Sequence, residues 1–302
     1  MTELVQLQVT RPAVRRPEWL KVRIPGGENY FELKGLMRGL KLHTVCESAR
    51  CPNIGECWSH RTATFMILGE RCTRRCGFCA VPKGHPKGQV DWDEPERVAE
   101  AAEAMGLKYI VVTSVDRDDL ADGGSAIFAR TVQALRRRIP DCRIEVLIPD
   151  FRGDDGALET VLAARPDVLN HNIETVPRLY PVARRGSGYE RSLRLLRRAR
   201  ETAPEIPTKS GLMVGLGETF EETVRVLADL AANGVQIVTI GQYLRPSGEQ
   251  LPVARFYAPE EFAALKTEGL RMGIRHVESG PLVRSSYHAH EQTESLTAAR
   301  SQ

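Results

Sequence analysis

No stretch of this sequence stays apolar for long: the longest runs, such as residues 109–112 and 235–240, fall far short of the ~20 residues that a bilayer span needs. A secretory signal is not expected either, because the first twenty residues carry an early acid and lack an apolar core. Excess charge of one sign is also missing. The 42 basic and 39 acidic residues leave a formal net charge of +3, so there is no electrostatic footprint for nucleic acid. Neither membrane nor nucleic acid is an expected partner, and a reducing cytoplasm is the expected compartment. In that compartment, seven cysteines are expected to act as metal ligands or redox groups rather than as disulfides. The sequence has no repeat of fixed period, no obvious Ser/His/Asp set and no Gly-rich dinucleotide fingerprint after its first predicted strand. That strand leads instead into GERCTRRCGFC.

The remaining composition, 42% hydrophobic and 27% charged over 302 residues, is that of a globular chain able to bury a sizeable core. Residues 1–17 are polar and rich in Pro and Arg, and are expected to be loosely ordered. Residues 18–60 read as a loop-rich extension with short helical turns near 31–38. From 61 to 290, apolar runs at 64–68, 109–113, 144–148, 168–172, 208–214 and 236–240 alternate with helical patterns at 94–105, 125–138, 155–164, 189–201 and 219–232. A further helix at 259–271, a short strand near 275–278 and a polar tail at 291–302 complete the parse. Strand–helix alternation of this length implies right-handed crossovers and a parallel sheet. The predicted fold is α/β, a partial (β/α)6 TIM-type barrel with N- and C-terminal extensions over its mouth. Asp93–Glu94–Pro95 is expected to start a helix, and Gly106 and Gly234 to end two others.

Cys72, Cys76 and Cys79 form a C-x3-C-x2-C set directly after the first predicted barrel strand. Three thiolates in so short a span can wrap one soft-metal centre, and a cubane held by only three of them keeps one iron open. The loop after a barrel strand lies at the C-terminal mouth, where active sites are built. Zinc, the alternative, normally takes four protein ligands and C-x2-C pairs, and here only His85 lies nearby. With Phe78 just before the last cysteine, the motif resembles that of the radical S-adenosylmethionine (SAM) superfamily. That resemblance implies a [4Fe–4S] cluster whose open iron takes the methionyl amine and carboxylate. Its electron splits the sulfonium into a 5′-deoxyadenosyl radical.

A second set, Cys46-x4-Cys51-x5-Cys57, is less specific alone, with a zinc knot using His43 or His60 as the alternative, but two three-cysteine sets, each one ligand short, favour a second cluster with a non-cysteine ligand. Both sets together with GPLVRSSYHA (280–289), TSVDRDDLADGG (113–124), NHNIETV (170–176), PTKSGLMVGLGE (207–218) and QYLRPS (242–247) resemble the lipoyl synthase family along most of the chain. The resemblance implies sulfur insertion at C6 and C8 of an octanoyl chain amide-linked to a lysine, with two SAM molecules consumed. It implies that Cys72, Cys76 and Cys79 hold the radical-generating cluster. Cys46, Cys51 and Cys57 would hold an auxiliary [4Fe–4S] cluster that donates its sulfur, with Ser286 as fourth ligand in preference to Ser285. The implied partners are octanoylated carrier domains of 2-oxoacid dehydrogenase complexes and of the glycine cleavage system, and a ferredoxin or flavodoxin as electron donor.

For SAM itself, polar groups at strand ends are the candidates: Thr113, Asn170, Glu174 on the ribose, and Arg184 or Lys209 on the carboxylate. Cys142 stands outside both sets and is expected to be a small buried hydrophobe. An arginine-rich face, Arg191, Arg194, Arg197, Arg198 and Arg200, is either a solvated helix face or a surface that steers an acidic carrier. Two other functions remain open at this point: a non-catalytic iron–sulfur scaffold or electron carrier, and another radical SAM sulfur-inserting enzyme similar to biotin synthase.

Overall fold

The computed structural model describes residues 15–21, 25–59, 64–286, 289 and 292. Most of the expected loose N-terminus and polar tail, together with His60 and Tyr287, lies outside the described residues. The extension begins with helix α1 (Glu28–Gly39), a full twelve residues where the sequence suggested short turns. Strand β1 (His43–Thr44) and the short helices α2 (Val45–Ser48) and α3 (Ile54–Ser59) come next. The extension is not a separate domain. Leu33, Met37 and Trp58 are buried in the same hydrophobic cluster as the barrel strands.

The barrel then runs β2 (Thr64–Ile67), α4 (Glu94–Ala104), β3 (Tyr109–Ser114), α5 (Ser125–Arg138), β4 (Arg143–Leu147), α6 (Asp155–Ala163), β5 (Val168–Asn170), α7 (Tyr180–Ala183) and α8 (Tyr189–Thr202). It ends with β6 (Thr208–Val214), α9 (Phe220–Ala232), β7 (Ile237–Gln242), α10 (Pro259–Arg271) and β8 (His276–Gly280). Strands β2 to β8 pair in parallel in chain order, and β1 adds antiparallel to β2. Among the described residues β1 and β8 are the sheet's edges, so the expected partial barrel is open between them. Alternation along each strand sends Phe65, Ile67, Ile110, Val112, Ile144 and Val146 outward, fully buried under the helices. Met66, Thr113, Leu147, Gly211 and Thr239 point inward, around a cavity at the mouth.

Local chemistry sets the helix ends. At α9, Thr219 Oγ1 accepts from Glu222 N–H at 3.2 Å and Glu222 returns the bond to Thr219 N–H at 2.9 Å, a capping box. Gly106 and Gly234 take left-handed φ values of 65° and 77°, which glycine adopts without steric cost. Asp93 stands at the N-cap of α4 but caps with no side-chain bond. Its neighbour Glu94 instead turns inward and accepts from Leu68 N–H at 2.7 Å, holding the turn that leaves β2.

The barrel floor is polar and closed. Lys209 Nζ lies 3.0 Å from both carboxylate oxygens of Glu145, which also accepts from Asn170 Nδ2 at 2.8 Å and Tyr109 OH at 2.7 Å. Lys209, Glu145 and Asn170 are all 0% exposed; the two charges neutralise each other and Asn170 Nδ2 is bonded, while Asn170 Oδ1 has no hydrogen-bond partner. Neither Asn170 nor Lys209, both SAM-contact candidates in the sequence, lines the mouth cavity. Lys209 stands two residues before Gly211 on β6, about 6.6 Å below the mouth layer at the usual rise per residue.

Candidate active site

The connection from β2 to α4 carries Cys72, Cys76 and Cys79. It leaves the strand through Leu68 and Gly69, both with positive φ, and folds back on itself: Cys72 N–H donates to Pro82 O at 2.9 Å and Gly84 N–H to Cys72 O at 3.0 Å. All three thiols face the mouth cavity, whose volume is about 330 Å³. That volume falls within the range of pockets that enclose a cofactor-sized ligand, roughly 300–1,000 Å³.

The extension brings the second set to the same cavity. Cys46 lies on α2, whose first turn is capped by Thr44 Oγ1 accepting from Glu47 N–H at 3.4 Å; Cys51 comes after it, and Cys57 lies on α3. Cys46 and Cys51 line the cavity, and Cys57 stands close enough to both to feel their charge. The C-terminal segment reaches this corner because Asn53 Nδ2 donates to Leu282 O at 2.7 Å. Gly241 on β7 admits it: a Cβ there would stand 2.1 Å from Val283 O. Ser285 and Ser286 thereby join the cavity wall opposite chain elements more than two hundred residues away.

Burial raises every one of these thiols. Cys46 and Cys72 are pushed up to about 11 and Cys57 and Cys76 to about 12, with neighbouring thiols and Asp116 adding to the effect; Cys51 and Cys79 are raised too. Thiolate is the natural ligand of iron–sulfur clusters, and a bound cation would offset the cost of burying it. The donor sets therefore fit clusters. A zinc site is less well served. His85 Nδ1, the nearby candidate for a fourth zinc ligand, is engaged by Lys87 N–H at 3.2 Å.

The rest of the wall sets polar groups among apolar side chains such as Met66, Phe78, Val115 and Met213. Ser114 Oγ, Asp116 Oδ1 and Asn172 Oδ1 are buried on it without a hydrogen-bond partner, which fits a polar ligand above them. Thr113 also faces the cavity, its hydroxyl donating to Leu147 O at 2.9 Å. Glu174 accepts from Asn172 Nδ2 at 3.1 Å and holds a left-handed φ of 68°, a strained backbone fixed by Glu174 N–H donating to Gly211 O and Met213 N–H to Glu174 O. Burial raises its carboxyl, and the charge of Arg184 partly offsets this.

Arg184 also lines the cavity and is held from behind by neutral groups only. Its Nη1 donates to Tyr180 OH at 3.0 Å and Ser192 Oγ at 2.9 Å, and Nη2 lies 3.3 Å from His171 Nε2. Because an arginine can only donate, His171 must present a bare Nε2 and donate through Nδ1 to Ile148 O at 2.8 Å. Desolvation and the Arg184 charge accordingly push His171 down to about 3.

Of the sequence candidates, the structure gathers Cys46, Cys51, Cys72, Cys76, Cys79, Ser286, Thr113, Glu174 and Arg184 on one cavity, and Cys57 beside it. Sequence reasoning missed Asp116, Asn172 and Arg284 as individual residues, although each lies inside a motif shared with the family. The arginine face on α8 is largely engaged: Arg194 pairs with Asp155 at 2.8 Å, Arg198 with Glu159 at 3.0 Å and Arg191 with Asp150 at 3.3 Å, while Arg200 bonds Pro204 O. Cys142 is buried as expected, with its Sγ 3.5 Å from Arg143 O. Among the described residues, no helix is long and apolar enough to cross a membrane.

Comparison with known proteins agrees with this geometry. The Radical SAM superfamily model matches residues 66–230, and the model for the N-terminal domain of lipoyl synthase matches residues 1–51. Lipoyl synthase of Koribacter versatilis is 60% identical over 294 residues, 97% of this chain and 96% of that protein. Lipoyl synthase of Rubrobacter xylanophilus is 61% identical over 293 residues, covering 97% and 91%. Among solved structures, methylornithine synthase shares the fold at a TM-score of 0.53 and 16% identity, over 73% of this chain and 72% of that one. SuiB of Streptococcus suis bound to S-adenosylmethionine does so at 0.55 and 11%, over 85% and 58%. The chain belongs to the lipoyl synthase family of radical SAM enzymes.

Proposed function

We propose that this protein inserts two sulfur atoms, at C6 and C8, into an octanoyl chain amide-linked to a carrier lysine, consuming two SAM molecules. The observation that carries the reading is the meeting of Cys72, Cys76 and Cys79 with Cys46, Cys51 and two serines on one cavity of about 330 Å³, with Cys57 beside it. Cys72, Cys76 and Cys79 would hold the radical-generating [4Fe–4S] cluster, and Cys46, Cys51, Cys57 and Ser286 an auxiliary one that donates sulfur. When bound, the first cluster and SAM supply the hydrogen-abstracting radical, which unactivated C–H bonds require and acid–base side chains cannot provide.

The protein's own part is to bind, orient and exclude water. Arg184, a buried guanidinium with no carboxylate partner in ion-pair distance among the described residues, suits the methionyl carboxylate. Glu174 and Asn172 present acceptors for ribose hydroxyls, and Thr113 lies beside them. The floor formed by Lys209 and Glu145 closes the barrel below, so a radical formed at the mouth meets no water from that side. A serine alkoxide suits iron less well than thiolate, so the iron held by Ser286 would be the easiest to lose. The carriers are the octanoylated domains of 2-oxoacid dehydrogenase complexes and the glycine cleavage system, with ferredoxin or flavodoxin as reductant.

The unpartnered Ser114 Oγ and Asn172 Oδ1 on the wall disfavour a simple electron carrier, which needs no ligand cavity. Mass analysis of an octanoyl-lysine peptide, incubated anaerobically with reduced protein and SAM, tests the reading. Two added sulfurs and 5′-deoxyadenosine are expected. An unmodified peptide with intact clusters would refute it.

A further inference from the structure

The segment TSVDRDD (113–119), at the end of β3, grips the loop that carries Cys72, Cys76 and Cys79. Thr73 N–H and Oγ1 both donate to Asp116 O at 3.0 Å, and Thr73 Oγ1 accepts from Asp118 N–H at 3.0 Å. Arg117 holds the two ends of the loop: it donates to Leu68 O at 3.3 Å and Gln89 O at 2.8 Å while paired with Asp119 at 2.8 Å. Asp119 in turn accepts from Gly88 N–H at 2.8 Å.

Between the first two cysteines stands Arg74, whose side chain is only 3% exposed. It forks onto Asp118 through Nε and Nη2, both at 2.9 Å. Nη2 also reaches Asp150 at 2.6 Å, Nη1 donates to Ser187 Oγ at 2.9 Å, and Nε lies 3.3 Å from Asp116. These partners come from the connections after β3, β4 and β5. The Asp150 end is itself built under strain: Phe151 and Arg152 have φ of 44° and 56°, stabilised by Asp150 accepting from Arg152 N–H at 3.0 Å. Only a planar guanidinium with five donors can serve so many acceptors at once, and an ammonium cannot. A connection as long as 68–93 without a helix or strand of its own needs such ties to present three side chains in fixed places.

We propose that Arg74 is a positioning residue for the cluster bound by Cys72, Cys76 and Cys79. It fixes the backbone between the first two ligands to three other mouth loops, so that the thiols stand in place before iron and sulfide arrive. The role rests on those cysteines being the ligands, and the test separates the two claims.

Full-length protein carrying Arg74→Gln is reconstituted anaerobically and its iron is challenged with a chelator. Iron loss about tenfold faster than in the parent is expected, the scale seen when outer-shell partners of metal ligands are removed. The spectrum of the reduced cluster by electron paramagnetic resonance, with and without SAM, changes as well. Asp118→Asn removes the fork at a partly exposed carboxylate and moves both readouts the same way; it decides the question if Arg74→Gln does not fold. Arg136→Gln breaks the Arg136–Asp167 pair away from this loop and moves neither. Unchanged chelation and spectra in the Arg74 or Asp118 variant overturn the proposal, and so does an equal change in the Arg136 variant, which would mark general destabilisation. Full iron and an unchanged spectrum in Cys76→Ser would refute the ligand assignment itself. Cluster loss in Cys76→Ser alongside parental behaviour in Arg74→Gln refutes only the positioning role.

Discussion

Replacing Arg184 by Gln should weaken SAM binding far more than it weakens the fold. The guanidinium is anchored to Tyr180 OH, Ser192 Oγ and His171 Nε2, all neutral, and forms no ion pair among the described residues, so an entering carboxylate would be its first directly bonded anion. Removing one member of a buried charge pair costs about 3–5 kcal/mol. Taking about 3 kcal/mol, the affinity for SAM falls on the order of 100-fold, at about 1.4 kcal/mol per tenfold change. The assay is equilibrium titration of the reconstituted, anaerobic protein with SAM and, in parallel, with decarboxylated SAM. The parent should discriminate strongly between the two ligands, and the variant weakly. Equal weakening of both ligands in Arg184→Gln would show that the arginine supports the pocket without reading the carboxylate, and the assignment would fall.

Cys57→Ala should lower reconstituted iron from about eight to about four per chain, as expected for two cubanes, and leave SAM cleavage to 5′-deoxyadenosine intact. Loss of both activities together would mean that the two cysteine sets serve one centre. Ser286→Cys should yield a more chelator-resistant auxiliary cluster and less product; unchanged two-sulfur output would sink the lability rationale. His171 gives a pH signature in the apoprotein. Its folded value, lowered to about 3 from an ordinary 6.5, means that the unfolded chain takes up a proton that the native one refuses. The stability it contributes is complete above about 6.5 and is lost progressively as pH falls towards 3, about 2 kcal/mol of it by pH 5. Urea unfolding of parent and His171→Gln at pH 7 and pH 5 should show the difference between them shrinking by that amount; a constant difference would contradict a buried neutral imidazole.

Most of the barrel was legible because its signals are local. The apolar run at 208–214 and the helical pattern at 125–138 coincide with β6 and α5, and Gly106 and Gly234 follow the helix ends as predicted. The extension was legible only in part. Helices α2 and α3 are too short to show a period, and their stability comes from packing Trp58 against Tyr30 and the barrel core. The cysteine sets could be read from spacing, but their convergence with Ser285 and Ser286 depends on Asn53 meeting Leu282 O and on the missing side chain of Gly241. Such contacts leave no trace in sequence periodicity.

Height along a strand decides which polar residues reach the ligand, and motif membership does not. Lys209 and Gly211 share the face of β6 that points into the barrel, yet one lies on the floor and the other on the cavity wall. Lys209 is the second residue of its strand, so a parallel barrel must place it near the end opposite the active-site mouth. There its ammonium needs a buried counter-charge, and Glu145 on β4 supplies it. Arg184 is the converse. It comes just after α7, past the end of β5, where the chain has already risen to the mouth; its hydrogen bonds go to hydroxyls and an imidazole, and the carboxylates of Glu174 and Asp116 act on it through space without forming an ion pair. Lys209, ion-paired with Glu145 beneath the cavity, serves the scaffold, whereas Arg184, on the cavity wall and held by hydrogen bonds to neutral groups, is the cation proposed to meet the carboxylate of SAM.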